Sequence, residues 1–214
     1  MNEMIEIQVK STLDGSVEPS LFYCPEGPGN KTLVVGLHTW SMDRFNQVER
    51  MLPYCEERNW ALLLPEFRGS NLPTKNSRIS SACASVEARQ DVIDATEFVV
   101  DTYPVDPERI FLLGGSGGGH MALMMAAYKP GVWFAVSSWC PITDLDLWFQ
   151  YHHIPVDGMP MQESLEFLTN DWRKRGEVVL PPYESRLKPF TEIMTHNEIS
   201  RGRIFCDFST LLKT

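Results

Sequence analysis

The sequence predicts an α/β fold, a largely parallel twisted sheet with helices on both faces, and three observations carry that reading. Short apolar runs recur at residues 32–37, 61–64, 110–113 and 132–139, the pattern of strands buried on both faces. Segments of helical spacing or composition separate them, at residues 43–59, 84–103 and about 117–128, which gives the alternation of βαβ units. At 214 residues, 43% hydrophobic and 22% charged, the chain suits one soluble domain with a full core.

Residues 1–30 open with Ile5, Ile7 and Val9, then Leu21 and Tyr23, alternating with polar residues around Asp14-Gly15. That pattern predicts a β-hairpin. Residues 31–144 follow as the core of the fold. Within 43–59, Phe45, Val48, Leu52 and Cys55 recur at helical spacing. Pro53 has no N–H to donate and crowds the preceding turn, so this helix is expected to break in two. Pro65 is expected to stop the strand at 61–64. Over 84–103, Val92, Thr96, Val99 and Tyr103 form one row and Val86, Ile93 and Val100 lie beside it, an amphipathic helix. Pro104-Val105-Asp106-Pro107 reads as a turn into the strand at 110–113.

Beyond Pro141 the rhythm lapses. Residues 145–200 read as cap-like helices and loops, with Leu165, Leu168 and Trp172 in an amphipathic stretch. Residues 201–214 hold one strand candidate, at 203–208. The sheet is therefore expected to lack its last strand or strands. The strand at 132–139 is too apolar for a bare edge. It is expected to pair with 203–208, or with a second copy of the chain in a homodimer.

The strongest chemical signal is Gly114-Gly115-Ser116-Gly117-Gly118, a G-x-S-x-G run between a buried strand and a helix. A serine in this setting sits on a sharp, strained turn, and flanking side chains would clash with the strand and helix. The turn lifts the Ser116 hydroxyl above the carboxyl end of the sheet. It also aims the Gly117 amide, at the helix start, toward a developing oxyanion. Phosphate binding is disfavoured because His120-Met121 stands where a Walker pattern needs Gly-Lys-Ser/Thr. A dinucleotide fingerprint would need glycine at position 120 and would sit on the first strand. His120 itself is expected to pack beneath the sheet surface, because the helix carries it away from the hydroxyl. The loop Leu37-His38-Thr39-Trp40 follows an earlier strand, and the Trp40 amide is expected to be the second oxyanion donor.

Several segments resemble, in order, those of bacterial prolyl-oligopeptidase-like serine hydrolases and carboxylesterases of the α/β-hydrolase superfamily. They are LVVGLHTWS at 33–41, PEFRGSN at 65–71, ACAS at 82–85, QDVIDA at 90–95, VDPERI at 105–110, and Gly114 to His120. The resemblance runs from about residue 31 to 150. It implies an α/β-hydrolase fold and cleavage of esters or peptide bonds through an acyl-enzyme on Ser116. The substrate would be a small-molecule or peptide acyl compound, and no metal or organic cofactor is implied.

The family's order is nucleophile, acid, histidine, yet neither its acid loop nor its histidine loop is recognisable after residue 150. Chemically this matters, since a serine hydroxyl needs a base to remove its proton. One reading takes Asp144, with Asp146 as a lesser candidate, for the acid and His196 for the base. A second puts Asp207 at the acid position with no histidine to follow. A third takes the end of the chain as divergent or truncated, with the site incomplete. His152 and His153 fit a substrate-lining loop or plain surface better than catalysis. The rival function is a catalytically silent binding protein of the same fold, or a fragment of a longer hydrolase.

Charge and cysteines exclude other classes. A net charge of −9 opposes binding to nucleic acid, where clustered Lys and Arg meet phosphates, and to anionic membranes. No apolar run is long enough to span a bilayer. The N-terminus has neither a basic n-region nor an apolar h-region, so a cytoplasmic location is expected unless a leader has been removed. Cys24, Cys55, Cys83, Cys140 and Cys206 form no CxxC pair, which fits free thiols rather than a metal site.

Overall fold

The computed structural model describes residues 3–40, 42–70, 76, 78, 81, 82 and 84–143. Its strands are β1 (Ile5–Lys10), β2 (Val17–Tyr23), β3 (Lys31–Leu37), β4 (Ala61–Pro65), β5 (Val105–Gly115) and β6 (Ala135–Trp139). Its α-helices are α1 (Val48–Arg58), α2 (Val86–Thr102) and α3 (Gly117–Tyr128). The six strands form one sheet in the order β1-β2-β4-β3-β5-β6. β1 and β2 are the expected hairpin, and β2 runs antiparallel to β4. The pairs β3–β4, β3–β5 and β5–β6 are parallel.

The buried strands sort their side chains by parity, as a pleat requires. Leu33, Val35, Ala61 and Leu63 face a core shared with Val92, Ile93 and Val99 of α2 and Met121 and Met125 of α3. Val34, Leu62 and Leu64 face the other way, onto Cys55 and the partly buried Met51 and Leu52 of α1. Helices therefore cover both faces, as the alternation predicted.

Three expectations need correction. Pro53 does not break its helix: α1 runs through it, and the change of geometry comes earlier, at a 3-10 turn over Arg44–Gln47. Pro53 and Glu49 both lie on the exposed side, where the carbonyl freed by the missing N–H can turn to water. The predicted turn at 104–107 is instead the start of β5, since Val105 pairs with Lys31 before a register shift resumes the ladder at Ile110 and Leu33. The run at 132–139 enters the sheet only at Ala135. Pro130 suits the first turn of a helix and starts a 3-10 turn over Pro130–Val132. β6 is also not buried on both faces, for its middle is half-buried and Ala135 and Trp139 are exposed. Among the described residues it is the sheet edge, with β5 its neighbour. Its expected partner at 203–208 lies outside the described residues.

Helix α2 begins two residues later than its periodicity suggested. Ser85 caps it by accepting a hydrogen bond from the Ala88 amide at 3.0 Å, which satisfies a donor of the first turn. The register pairs Leu37 with Gly114 and Gly115 with Trp139. The ends of β3 and β6 thus flank the residue that follows β5.

Candidate active site

That residue is Ser116. It stands between the last residue of β5 and the first of α3, with φ 55° and ψ −117°. A non-glycine side chain there costs on the order of 1–3 kcal/mol, so the surroundings must hold it. They do so from both sides. The Ser116 amide donates to the Trp139 carbonyl at 2.8 Å, and its carbonyl accepts from the His120 amide at 3.0 Å. Ser116 is exposed while Gly117, Gly118 and Gly119 behind it are buried. The room for this crossing comes from missing side chains. A Cβ on Gly118 would meet the Leu37 carbonyl oxygen and lie 2.8 Å from that of His38, and one on Gly114 would strike the Gly118 backbone.

The neighbouring loop, His38-Thr39-Trp40, is held closely. The His38 ring stacks on Phe67 at 4.0 Å, with Nδ1 2.9 Å from the Thr39 carbonyl and Nε2 2.8 Å from that of Glu66. The Thr39 amide donates to Asn46 Oδ1 at 3.2 Å, and the Thr39 carbonyl also accepts from the Met42 amide at 3.1 Å. Trp40 lays its indole over the Gly117 α-carbon, so closely that a Cβ there would collide with the ring. The Gly117 amide, read from the sequence as an oxyanion donor, donates to Thr39 Oγ1 at 3.3 Å. The structure thus brings Ser116, Gly117 and Trp40 together. It adds Thr39, Asn46 and Glu66: Thr39 and Glu66 stand in the segments LVVGLHTWS and PEFRGSN, but their parts here depend on tertiary contacts that no spacing signals.

Among the described residues the histidines are His38 and His120, and both are committed to carbonyls. His120 Nδ1 is 2.8 Å from the Ile142 carbonyl, and its ring meets Trp40 edge-on at 6.1 Å. Burial lowers its pKa, against the pull of that hydrogen bond, so the ring is held neutral and packed, as expected of a helix residue turned from the hydroxyl. Asp144 and His196, the acid and base read from the sequence, lie outside the described residues, as do Asp146, His152, His153 and Asp207. No group of three or more His, Cys, Asp or Glu side chains able to hold a metal ion occurs among the described residues. No described helix is long and apolar enough to cross a membrane. A groove of about 360 Å³ runs along the α1 face, lined by Met51, Tyr54, Trp60, Leu113 and Trp139 among others. It reaches the elbow through Gly114 and Gly115, without Ser116 in its walls, so it lies beside the turn rather than over the hydroxyl.

A strand-to-helix turn with a strained, exposed serine between small residues has the geometry of a nucleophile elbow. The profile of the prolyl oligopeptidase family matches residues 46–186 of the 214. The chain belongs to the prolyl oligopeptidase family. Its α/β-hydrolase fold is shared by solved structures of low identity. One is a putative dipeptidyl aminopeptidase IV from Bacteroides ovatus, with TM-score 0.57 and 18% identity over 67% of this chain and 22% of that one. Another is the S-formylglutathione hydrolase FrmB from Staphylococcus aureus, with TM-score 0.56 and 12% identity over 94% of this chain and 86% of that one. Over 46 residues this prolyl oligopeptidase family member is 44% identical to the S-formylglutathione hydrolase of Bos taurus, a match that spans 22% of this chain and 16% of the bovine one.

Proposed function

We propose that this member of the prolyl oligopeptidase family is a serine hydrolase that cleaves carboxylic esters or peptide bonds through an acyl-enzyme on Ser116. The observation that carries the reading is the backbone of Ser116, a non-glycine residue at φ 55° with its exposed side above a buried glycine helix start. Such strain persists only where the surroundings impose it, and here it presents a hydroxyl beside the Gly117 amide. Ser116 Oγ attacks the acyl carbon as a base takes its proton, and the carbonyl π pair moves onto oxygen. The amides of Gly117 and Trp40 receive that charge. Collapse expels the leaving group, which takes the proton back, and water then releases the acid by the same steps in reverse roles. His196 as base and Asp144 as acid complete this scheme. The relatives' names, S-formylglutathione hydrolase and dipeptidyl aminopeptidase among them, fit a small-molecule or peptide acyl substrate and leave its identity open.

A fluorophosphonate probe tests the reading, since it bonds only to an activated serine. The 214-residue chain should be labelled at Ser116, and Ser116→Ala should lose both the label and hydrolysis of p-nitrophenyl acetate. His196→Ala should lower labelling as far as Ser116→Ala does, because members of such a unit fail together. An unlabelled wild type would return the chain to the silent binding proteins of this fold. Labelling that survives in His196→Ala would move the base to another residue.

A further inference from the structure

Thr39 Oγ1 accepts from the Gly117 amide at 3.3 Å, so it stands beside the position that an oxyanion held by that amide would take. A hydroxyl carries two lone pairs and one proton. Accepting from Gly117 occupies a lone pair and leaves the proton free to rotate. The rest of Thr39 is already spent: its amide is on Asn46 Oδ1, and its carbonyl accepts from the Met42 amide and lies 2.9 Å from His38 Nδ1. The backbone of Thr39 therefore cannot turn its own N–H toward the site, and the hydroxyl is the group this residue presents there. His38, stacked on Phe67 and tied to the Glu66 carbonyl, keeps the loop from drifting.

From this geometry we infer that Thr39 is a catalytic residue, a side-chain donor of the oxyanion hole. The inference rests on the serine-hydrolase reading and names a further donor within that site. In the free protein the hydroxyl fills the position next to Gly117 and satisfies its amide. When an acyl carbonyl enters, its oxygen replaces the hydroxyl as the acceptor of the Gly117 N–H. The Thr39 O–H then rotates to donate to the same oxygen. Attack by Ser116 Oγ forms the carbon–oxygen bond, the π pair becomes the oxyanion, and the Thr39 hydrogen bond strengthens with that charge. Thr39 keeps its proton throughout. A donor used chiefly in the transition state raises kcat rather than lowering KM.

The test compares wild type, Thr39→Val, Thr39→Ala and Thr39→Ser in the 214-residue chain, with p-nitrophenyl acetate turnover and fluorophosphonate labelling of Ser116 as readouts. Valine keeps the shape and removes the hydroxyl, so kcat should fall about 100-fold with KM little changed, the usual effect of losing one oxyanion donor. Alanine should fall likewise, which keeps the comparison decisive if the valine variant does not fold. Serine, which retains the hydroxyl, should stay within about 5-fold of wild type in kcat. A valine or alanine variant with wild-type kcat overturns the inference while Ser116 still labels. So does a serine variant as weak as valine, because then packing by the methyl group is what matters. A wild type that neither turns over nor labels overturns this inference together with the hydrolase reading.

Discussion

Ser116 is exposed, strained and surrounded by residues chosen for what they lack. Its strain is tolerable because the Trp139 carbonyl and the His120 amide hold the peptide on either side. Gly118 is one of the sharp local requirements. A methyl group there would press on the carbonyl oxygens of Leu37, which ends β3, and His38, which follows it, and backbone cannot step aside as a flexible side chain can. Gly118→Ala should therefore destabilise the fold by about 1–3 kcal/mol, the cost of overpacking, and push α3 away from Thr39. Denaturant unfolding and fluorophosphonate labelling read the two effects, and a variant with unchanged midpoint and labelling would show that the elbow has slack. His120 illustrates the opposite economy. A histidine one turn from Ser116 is a tempting base, yet burial lowers its pKa and its Nδ1 is held at the Ile142 carbonyl.

The hairpin of β1 and β2 is fastened to α2 by charge. Arg68 is buried, and its guanidinium bonds Asp91 at 2.6 and 2.9 Å, Asp14 at 2.7 and 3.2 Å, and Ser11 Oγ at 3.3 Å. Burial alone would disfavour that charge, but its hydrogen bonds to Asp14 and Asp91 outweigh it and raise the arginine's pKa. Nearby, the Thr12 amide and hydroxyl bond Asp94 of the same helix. Arg68→Met should cost about 3–5 kcal/mol, because it strands the buried Asp91 carboxylate without its counter-ion. The double variant Arg68→Met with Asp91→Leu should recover part of that loss, and thermal unfolding of both separates the pair from simple packing. Asp14 adds a pH signature. Its hydrogen bond from Arg68, then that from the Ser16 amide, hold its carboxyl far below the ordinary carboxylate range. A folded pKa below the unfolded one gives stability that is present above the ordinary value and lost as pH falls beneath it. Asp14 is partly exposed, so solvent screens the effect. Asp14→Asn should flatten the acid limb of a stability–pH curve, and an unaltered limb would assign it to other carboxylates.

Across the whole sheet, stability should grade from centre to edge. β3 and β4 are buried along their full length and lie between neighbours on both sides, whereas among the described residues β1 is an edge strand with only Ile7 and Val9 buried. Hydrogen exchange should find the slowest amides in β3, β4 and the 110–114 part of β5, and faster exchange in β1. Uniform protection from β1 to β5 would mean that the hairpin unfolds only with the core. The elbow sits at the end of this rigid centre, on the same paired strands, which is where a nucleophile must be if its geometry is to survive thermal motion.

Periodicity alone determined the helices on both faces, the hairpin and the buried strands, because burial imposes a period of 2 or 3.6 that any neighbour would impose. The sharp turn at Ser116 was equally legible, since only glycines permit strand and helix to cross so closely there. Element ends were less so. Pro53 reads as a breaker, and only its place on the solvent side of α1 makes it harmless. Val132 reads as the start of a strand until the fold places it in a 3-10 corner that begins at Pro130. The surroundings of Ser116 came from tertiary structure alone. Asn46, Glu66 and Phe67 reach the His38-Thr39 loop from segments that no local spacing connects, and the Gly117 amide meets Thr39 Oγ1 across 78 residues of chain. Sequence patterns record what a residue needs from its own element, whereas the partners that fill an active site are set by where the strands lie in the sheet.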